Sequence, residues 1–145
     1  MEDTLVIVKP DAVKRGLVGE IISRFEAAGF EIVRMRFGDV SEDLIHRLYA
    51  EHEGKPHFPR LIAYMTSGPS CFMQLKRESA IERARMMVGE TDPDEAAPGT
   101  IRGDMGLDLP RNSVHASDCG DAAQRETGLI FGDEASSQAR HSTNA

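Results

Sequence analysis

Residues 4–9 read TLVIVK, an apolar, β-branched run that ends in a cation and is stopped at once by Pro10. A buried strand fits this better than a helix, because proline lacks the amide that a helix interior needs. Residues 11–16 are polar and turn-like. Ile21, Ile22, Phe25 and Ala28 then fall at helical spacing, with Gly29 as a plausible stop. Residues 30–40 (FEIVRMRFGDV) predict a second strand. Ser41 is a good helix cap, and Leu44, Ile45, Leu48 and Tyr49 form a stripe to about Glu51.

Residues 53–59 (EGKPHFP) form a loop with two prolines, followed by a short helix over 60–65 and a turn over 66–69. Residues 71–76 predict a third strand. Ser79 is read as the cap of a helix carrying Ile81, Ala84, Arg85 and Val88. Residues 89–112 show little periodicity; so long a stretch inside a small domain is usually functional or a sign of a misassigned element, and here it holds Thr91, Thr100, Arg102 and Asn112. A brief strand over 113–116 and a helix over 121–126 close the series. The Ser/Ala/Gln/Thr-rich residues 133–145 are read as a disordered tail, leaving residues 1–132 as the domain. This element order is compatible with an α/β (α+β) ferredoxin-like split β-α-β sandwich, an antiparallel sheet with helices packed on it. That fold hosts many functions, so the chemistry must come from individual residues.

Composition narrows the function classes. The 145 residues make one domain, and an apolar fraction of 40 % excludes a chain disordered throughout. No apolar run approaches the roughly 18 residues of a membrane span. The acidic start, Met1-Glu2-Asp3-Thr4, lacks the basic and apolar stretches of a signal peptide, so a cytoplasmic protein is expected. The net charge of −7 argues against a general nucleic-acid binder, which needs a basic surface. It leaves room for an anionic small molecule held by a few convergent cations. Cys71 and Cys119 lack metal-ligand spacing and read as free thiols.

Neither a G-x-x-x-x-G-K-[ST] loop nor a G-x-G-x-x-G turn is present. What remains is a scatter of single polar residues. His115, in NSVHASD, can be a core residue, an acid–base group, a metal ligand or a nucleophile. Its neighbours favour chemistry: Ser117 and Asp118 can hydrogen-bond, and Glu126 can return on the following helix. A carboxylate that orients an imidazole fixes its tautomer and raises its basicity. Lys9 closes a buried strand; taken alone, it reads as a snorkelling surface lysine. Arg85 and Arg102 can fork onto phosphate oxygens. His57 and Phe58, between two prolines, can stack on a base or close a small core. His46, His52 and His141 show no partners in the sequence and read as surface.

Five ordered segments carry a resemblance: VIVKPDAVKRGLVGEII from Val6, LYAEHEGKPHF from Leu48, MTSGP from Met65, APGTIRGD from Ala97 and NSVHASD from Asn112. From about Thr4 to Gly132 the chain resembles the nucleoside diphosphate kinases. The resemblance implies a ferredoxin-like sandwich and a ping-pong enzyme. The γ-phosphate of a nucleoside triphosphate, usually ATP, moves to a histidine and then to a second nucleoside diphosphate, maintaining triphosphate pools. His115 matches the phosphohistidine. Lys9, Arg85, Thr91, Arg102 and Asn112 match positions that hold phosphates and sugar, while Tyr49, Ser117 and Glu126 match positions that support the site. Mg²⁺ would arrive on the nucleotide phosphates with few or no direct protein ligands. A homo-oligomer is implied, a hexamer or tetramer built from dimers, with neither a membrane nor a specific nucleic acid as partner. His57 stands where the family usually has phenylalanine; an imidazole can still stack, with a smaller face. Cys119 replaces a usual serine near the histidine, marking an oxidation-sensitive spot.

Overall fold

A computed structural model describes residues 1–109 and 111–132; the tail expected over residues 133–145 lies outside the described residues. The opening run is strand β1 (Glu2–Val8), and Leu5, Val6, Ile7 and Val8 are all fully buried. The chain continues through α1 (Pro10–Lys14), α2 (Val18–Ala27), β2 (Glu31–Gly38) and α3 (Glu42–Leu48). A single 3-10 turn (Ala50–His52) leads to α4 (Phe58–Met65), β3 (Ser70–Arg77) and α5 (Ala80–Val88). Helix α6 (Ile101–Met105), strand β4 (Val114–Ala116) and helix α7 (Gly120–Phe131) follow. The four strands form one sheet in the order β2-β3-β1-β4, each neighbouring pair antiparallel. With α2 and α5 as the two crossovers, this is the ferredoxin-like α+β arrangement.

Helices cover both faces of the sheet, which is why β1 carries no polar alternation. Val6 and Val8 pack with Ile21 and Phe25 of α2 and Ala84 and Val88 of α5. Leu5 and Ile7 pack with Leu44 and Leu48 of α3, Ile62 of α4 and Ile130 of α7. The β1–β4 register sets Ile7 opposite His115. Directly paired residues share a face, so His115 stands on the side of α3, α4 and α7.

Several local expectations are corrected. Residues 11–16 are not a plain turn: Pro10 starts a five-residue helix, its fixed φ suiting the first helical turn, and Ala12 is buried. Residues 89–112 contain α6, capped by the Thr100 hydroxyl, which accepts from the Gly103 amide at 3.1 Å. Ser41 caps α3 as expected, its hydroxyl accepting from the Leu44 amide at 3.1 Å. Ser79 does not cap α5: its backbone is left-handed at φ 53° and its side chain makes no cap bond. Glu2 takes that role, its carboxylate accepting from the Ile81 amide at 2.9 Å. Helix α7 runs past the expected residue 126 to Phe131, burying Ile130; Gly128 inside it weakens the local signal.

Candidate active site

A pocket of about 490 Å³ opens where the C-terminal end of β1, the 3-10 turn, α4, α5, the 89–112 segment and β4 converge. Lys9, Tyr49, His57, Arg85, Thr91, Arg102, Asn112 and His115 all line it. Ser117 and Glu126 stand behind His115 and are buried. The structure thus brings the residues singled out in the sequence into one place.

His115 Nε2 lies 2.9 Å from Glu126 Oε1, and the Ser117 hydroxyl donates to that same oxygen at 2.7 Å. Burial pushes the Glu126 carboxyl up. Hydrogen bonds from His115 and Ser117, with the His115 and Arg125 charges, more than offset this and hold it below its ordinary value. A carboxylate only accepts, so in the neutral imidazole Nε2 carries the hydrogen and Nδ1 carries the lone pair. Among the described residues no hydrogen bond engages Nδ1. The Tyr49 ring meets the imidazole edge-on, centroids 5.7 Å apart. Burial, reinforced by the charge of Glu126, raises the Tyr49 phenol well above its usual range, so it stays protonated.

Lys9 does not snorkel. It is 5 % exposed, and its ammonium donates to Asn112 Oδ1 at 2.9 Å. Asn112 in turn donates to the Thr91 carbonyl at 2.9 Å, tying β1 to the long segment. Burial first, then the neighbouring Arg102 charge, pulls the Lys9 ammonium down to about 7, against an opposing pull from Asp11. Arg102 donates to the carbonyls of Gly89 at 3.1 Å and Val114 at 2.9 Å. Its Nε and the Tyr49 hydroxyl are buried without a protein partner among the described residues.

Other placements depart from the sequence reading. Asp118 does not reach His115; it pairs with Arg85, and both side chains are at least half exposed. Phe58 is buried in the α3–α4 core, leaving His57 as the exposed ring. His52 is not a lone surface residue. It lines the pocket, its Nδ1 lies 3.0 Å from His57 Nε2, and its ring meets that of Tyr49 edge-on. His46 contacts Glu42 at 3.5 Å and packs its ring edge-on against Phe58. His141 lies outside the described residues.

The family model for nucleoside diphosphate kinases matches residues 2–136. A nucleoside diphosphate kinase of Halorubrum lacusprofundi is 53 % identical over 135 residues, covering 92 % of this chain and 85 % of its own. The chain belongs to the nucleoside diphosphate kinase family. It is therefore a phosphotransferase. The relative from Archaeoglobus fulgidus is 52 % identical over 134 residues, 92 % of this chain and 89 % of that one. Among solved structures, a halophilic nucleoside diphosphate kinase from Halobacterium salinarum, in complex with CDP, superposes with a TM-score of 0.89 at 47 % identity. It covers 92 % of this chain and 89 % of its own. The Aquifex aeolicus kinase gives a TM-score of 0.87 at 40 % identity, covering 90 % and 94 %.

In this kinase the sequence reading missed His52, Arg60 and Leu61 as pocket residues. Leu61 sits four residues after His57, one helical turn along, a spacing that was there to be read once α4 is known to begin at Phe58. His52 carried no such signal, because a loop separates it from His57.

Proposed function

We propose that His115 is the phosphorylated nucleophile of a ping-pong nucleoside diphosphate kinase. The observation that carries this reading is the Glu126 bond to Nε2, which leaves Nδ1 with the lone pair. In the forward half, Nδ1 attacks the γ-phosphorus of ATP or another triphosphate. The N–P bond forms as the bond to the bridging oxygen breaks, and the diphosphate leaves with both electrons. Glu126 balances the positive charge that develops on the ring, and Tyr49 and Ser117 hold the ring and the carboxylate in place. The second half runs the same step backward onto a different diphosphate, which fits a role in maintaining triphosphate pools.

Lys9, Arg85 and Arg102 offset the charge on the transferring oxygens, as phosphoryl transfer requires. Thr91 and Asn112 position phosphate and sugar, and His57 offers its ring to the base. The cationic lining suits Mg²⁺ carried in on the nucleotide: its near carboxylates are Glu51 and Asp118, the latter already paired with Arg85. When bound, the ion neutralises phosphate charge.

Residues 1–132 are taken as the catalytic domain. Among the described residues no helix is long and apolar enough to cross a membrane, and a cytoplasmic enzyme is the reading that family membership supports. A homo-oligomer is supported by β2, the end strand of the sheet among the described residues: its Val33, Met35 and Phe37 are 40 %, 46 % and 59 % exposed, an apolar row on one face. A hexamer or tetramer built from dimers is the assembly the family resemblance implies. Phe37→Lys should shift the assembly to a smaller species in sedimentation velocity.

The nucleophile is tested by single turnover. The protein is mixed with γ-labelled ATP and Mg²⁺, freed of nucleotide, and assayed for bound label. Acid-labile, base-stable label that added GDP removes as GTP, and that His115→Ala abolishes, is the expected result. Label that persists in His115→Ala would sink the assignment.

A further inference from the structure

The turn that delivers His115 is held in a conformation that a side chain rarely adopts. Ser113 is fully buried with φ 77°. The Val114 amide donates to the Asn112 carbonyl at 2.9 Å, closing a three-residue turn of the strained hand. Three pieces of the site hang from it: Asn112, which holds Lys9; the Val114 carbonyl, which holds Arg102; and His115 itself. A backbone conformation of this kind persists only where its surroundings impose it.

The surroundings centre on Asp11. The Arg15 guanidinium reaches Asp11 Oδ2 at 3.0 Å and the Ser113 hydroxyl at 3.2 Å, and also donates to the Met105 carbonyl. The Ser113 hydroxyl faces Asp11 Oδ2 at 3.5 Å. On the other side the Tyr64 hydroxyl donates to Asp11 Oδ1, and the Asp11 amide donates back to the Tyr64 oxygen at 3.1 Å. The Lys9 amide adds a backbone clamp, donating to the Ser113 carbonyl at 2.8 Å. None of Asp11, Arg15 and Tyr64 lines the nucleotide pocket. Tyr64 belongs to α4, the helix whose first turn carries Leu61, so this network joins the pocket wall to the turn before the nucleophile.

We infer that Asp11, Arg15 and Tyr64 are a positioning set that imposes the strained turn at Ser113 and thereby aims His115 at the γ-phosphorus. This rests on His115 being the nucleophile. Burial, and then the hydrogen bond to Asp11, pushes the Tyr64 phenol well above its ordinary value, so it remains a donor throughout the working range. The set acts on geometry, not on substrate contact, so its loss slows transfer while leaving nucleotide affinity in place.

The test is a double-mutant cycle between Tyr64→Phe and Ser113→Gly, read by the rate of His115 labelling from ATP, by KM and by melting temperature. Glycine adopts a positive φ without strain, so a turn with Ser113→Gly no longer needs the set to impose it. Tyr64→Phe alone is expected to slow labelling about tenfold, with KM moving less than about twofold. In the Ser113→Gly background the same change is expected to slow labelling less than about twofold. An equal loss in both backgrounds, or a lower melting temperature with unchanged labelling in Tyr64→Phe, would overturn the inference. If Tyr64→Phe does not fold, Arg15→Met, made at a side chain 33 % exposed, runs the same cycle with the same two outcomes. Label that survives His115→Ala would overturn the nucleophile and this inference together. Additive losses with label still on His115 would overturn this inference alone.

Discussion

Glu126 Oε1 takes two hydrogen bonds at once, from His115 Nε2 at 2.9 Å and from the Ser117 hydroxyl at 2.7 Å. With two donors on one oxygen, the carboxylate is anchored by Ser117 and presents a fixed acceptor to the imidazole. Glu126→Gln keeps the size but brings a donor that can bond Nε2 as a lone pair, which moves the hydrogen to Nδ1 and removes the nucleophile. Phosphohistidine formation should fall by about a hundredfold or more, as wrong-tautomer changes do in histidine–carboxylate pairs. KM for nucleotide should stay within about twofold, because Glu126 touches no substrate. Ser117→Ala, which frees the carboxylate to wander and also takes an acceptor from the Leu5 amide at 3.3 Å, should lose about tenfold. Rapid-quench labelling separates the cases; equal, small losses for both variants would remove tautomer control from the account.

Lys9 makes a second prediction through its proton. Burial and Arg102 bring its ammonium to about 7, against 10.5 for a free lysine. At pH 8 the empty site therefore holds a largely neutral amine, and an arriving phosphate favours the charged form. Nucleotide binding at pH 8 should take up a fraction of a proton approaching one. Calorimetric titration with ADP and Mg²⁺ in two buffers of different ionisation enthalpy measures this directly, and Lys9→Met should abolish it. The same shift has a stability consequence of definite sign. Between pH 7 and 10.5 the unfolded chain binds the proton and the native chain does not, so stability rises with pH across that window. Below pH 7 both states are charged and the burial penalty stands in full. Urea unfolding at pH 7 and pH 9 should show the rise in the wild type and flatten it in Lys9→Met.

His57 makes a third prediction, at the base end of the pocket. Its Nε2 lies 3.0 Å from His52 Nδ1, so one ring donates and the other accepts. Burial lowers the His52 pKa, opposed by Glu51 and assisted by His57 and Lys55. His57→Phe gives the base a larger, uncharged face and removes the pairing. KM for nucleotides should fall by about twofold to tenfold, within the range of base–aromatic stacking, with kcat little changed. An unchanged or higher KM would show that the imidazole is not a weaker platform.

What was legible in the sequence was what short spacings encode. The run at residues 4–9 and its stop at Pro10 placed β1, and the eleven residues from His115 to Glu126 allowed the carboxylate to return on a helix beside the imidazole. The helices at Pro10–Lys14 and Ile101–Met105 are five residues each, too short for a 3.6-residue period to show. Contacts made across the chain left no local trace. Glu2 caps α5 from 79 residues away and displaces the nearer candidate, Ser79. Tyr64 meets Asp11 across 53 residues, so neither stood out as part of the site. The burial of Lys9 likewise depends on the 89–112 segment folding over it, and the isolated residue type pointed to solvent instead.

Gly89 carries the last prediction, because it joins the end of α5 to that segment. Its φ is 89°, and a Cβ built there would lie 2.6 Å from the Thr100 hydroxyl oxygen and 2.7 Å from the Thr100 Cβ. Thr100 cannot retreat freely, since its hydroxyl caps α6 and also donates to the Ala97 carbonyl at 2.6 Å. The Gly89 carbonyl meanwhile receives Arg102 at 3.1 Å. Gly89→Ala therefore meets both a left-handed backbone and a steric clash, and relief by moving the backbone pulls the acceptor away from Arg102. The substitution should destabilise the fold by about 1–3 kcal/mol, a fall of several degrees in Tm. It should also raise KM for nucleotide, because Arg102 loses one of its two carbonyl anchors. Thr100→Ser removes only the methyl group that the new Cβ also approaches, at 3.1 Å, and keeps the cap. Combined with Gly89→Ala it should therefore restore little of either loss. Full recovery in that double variant would place the strain at the methyl contact alone and not in the backbone.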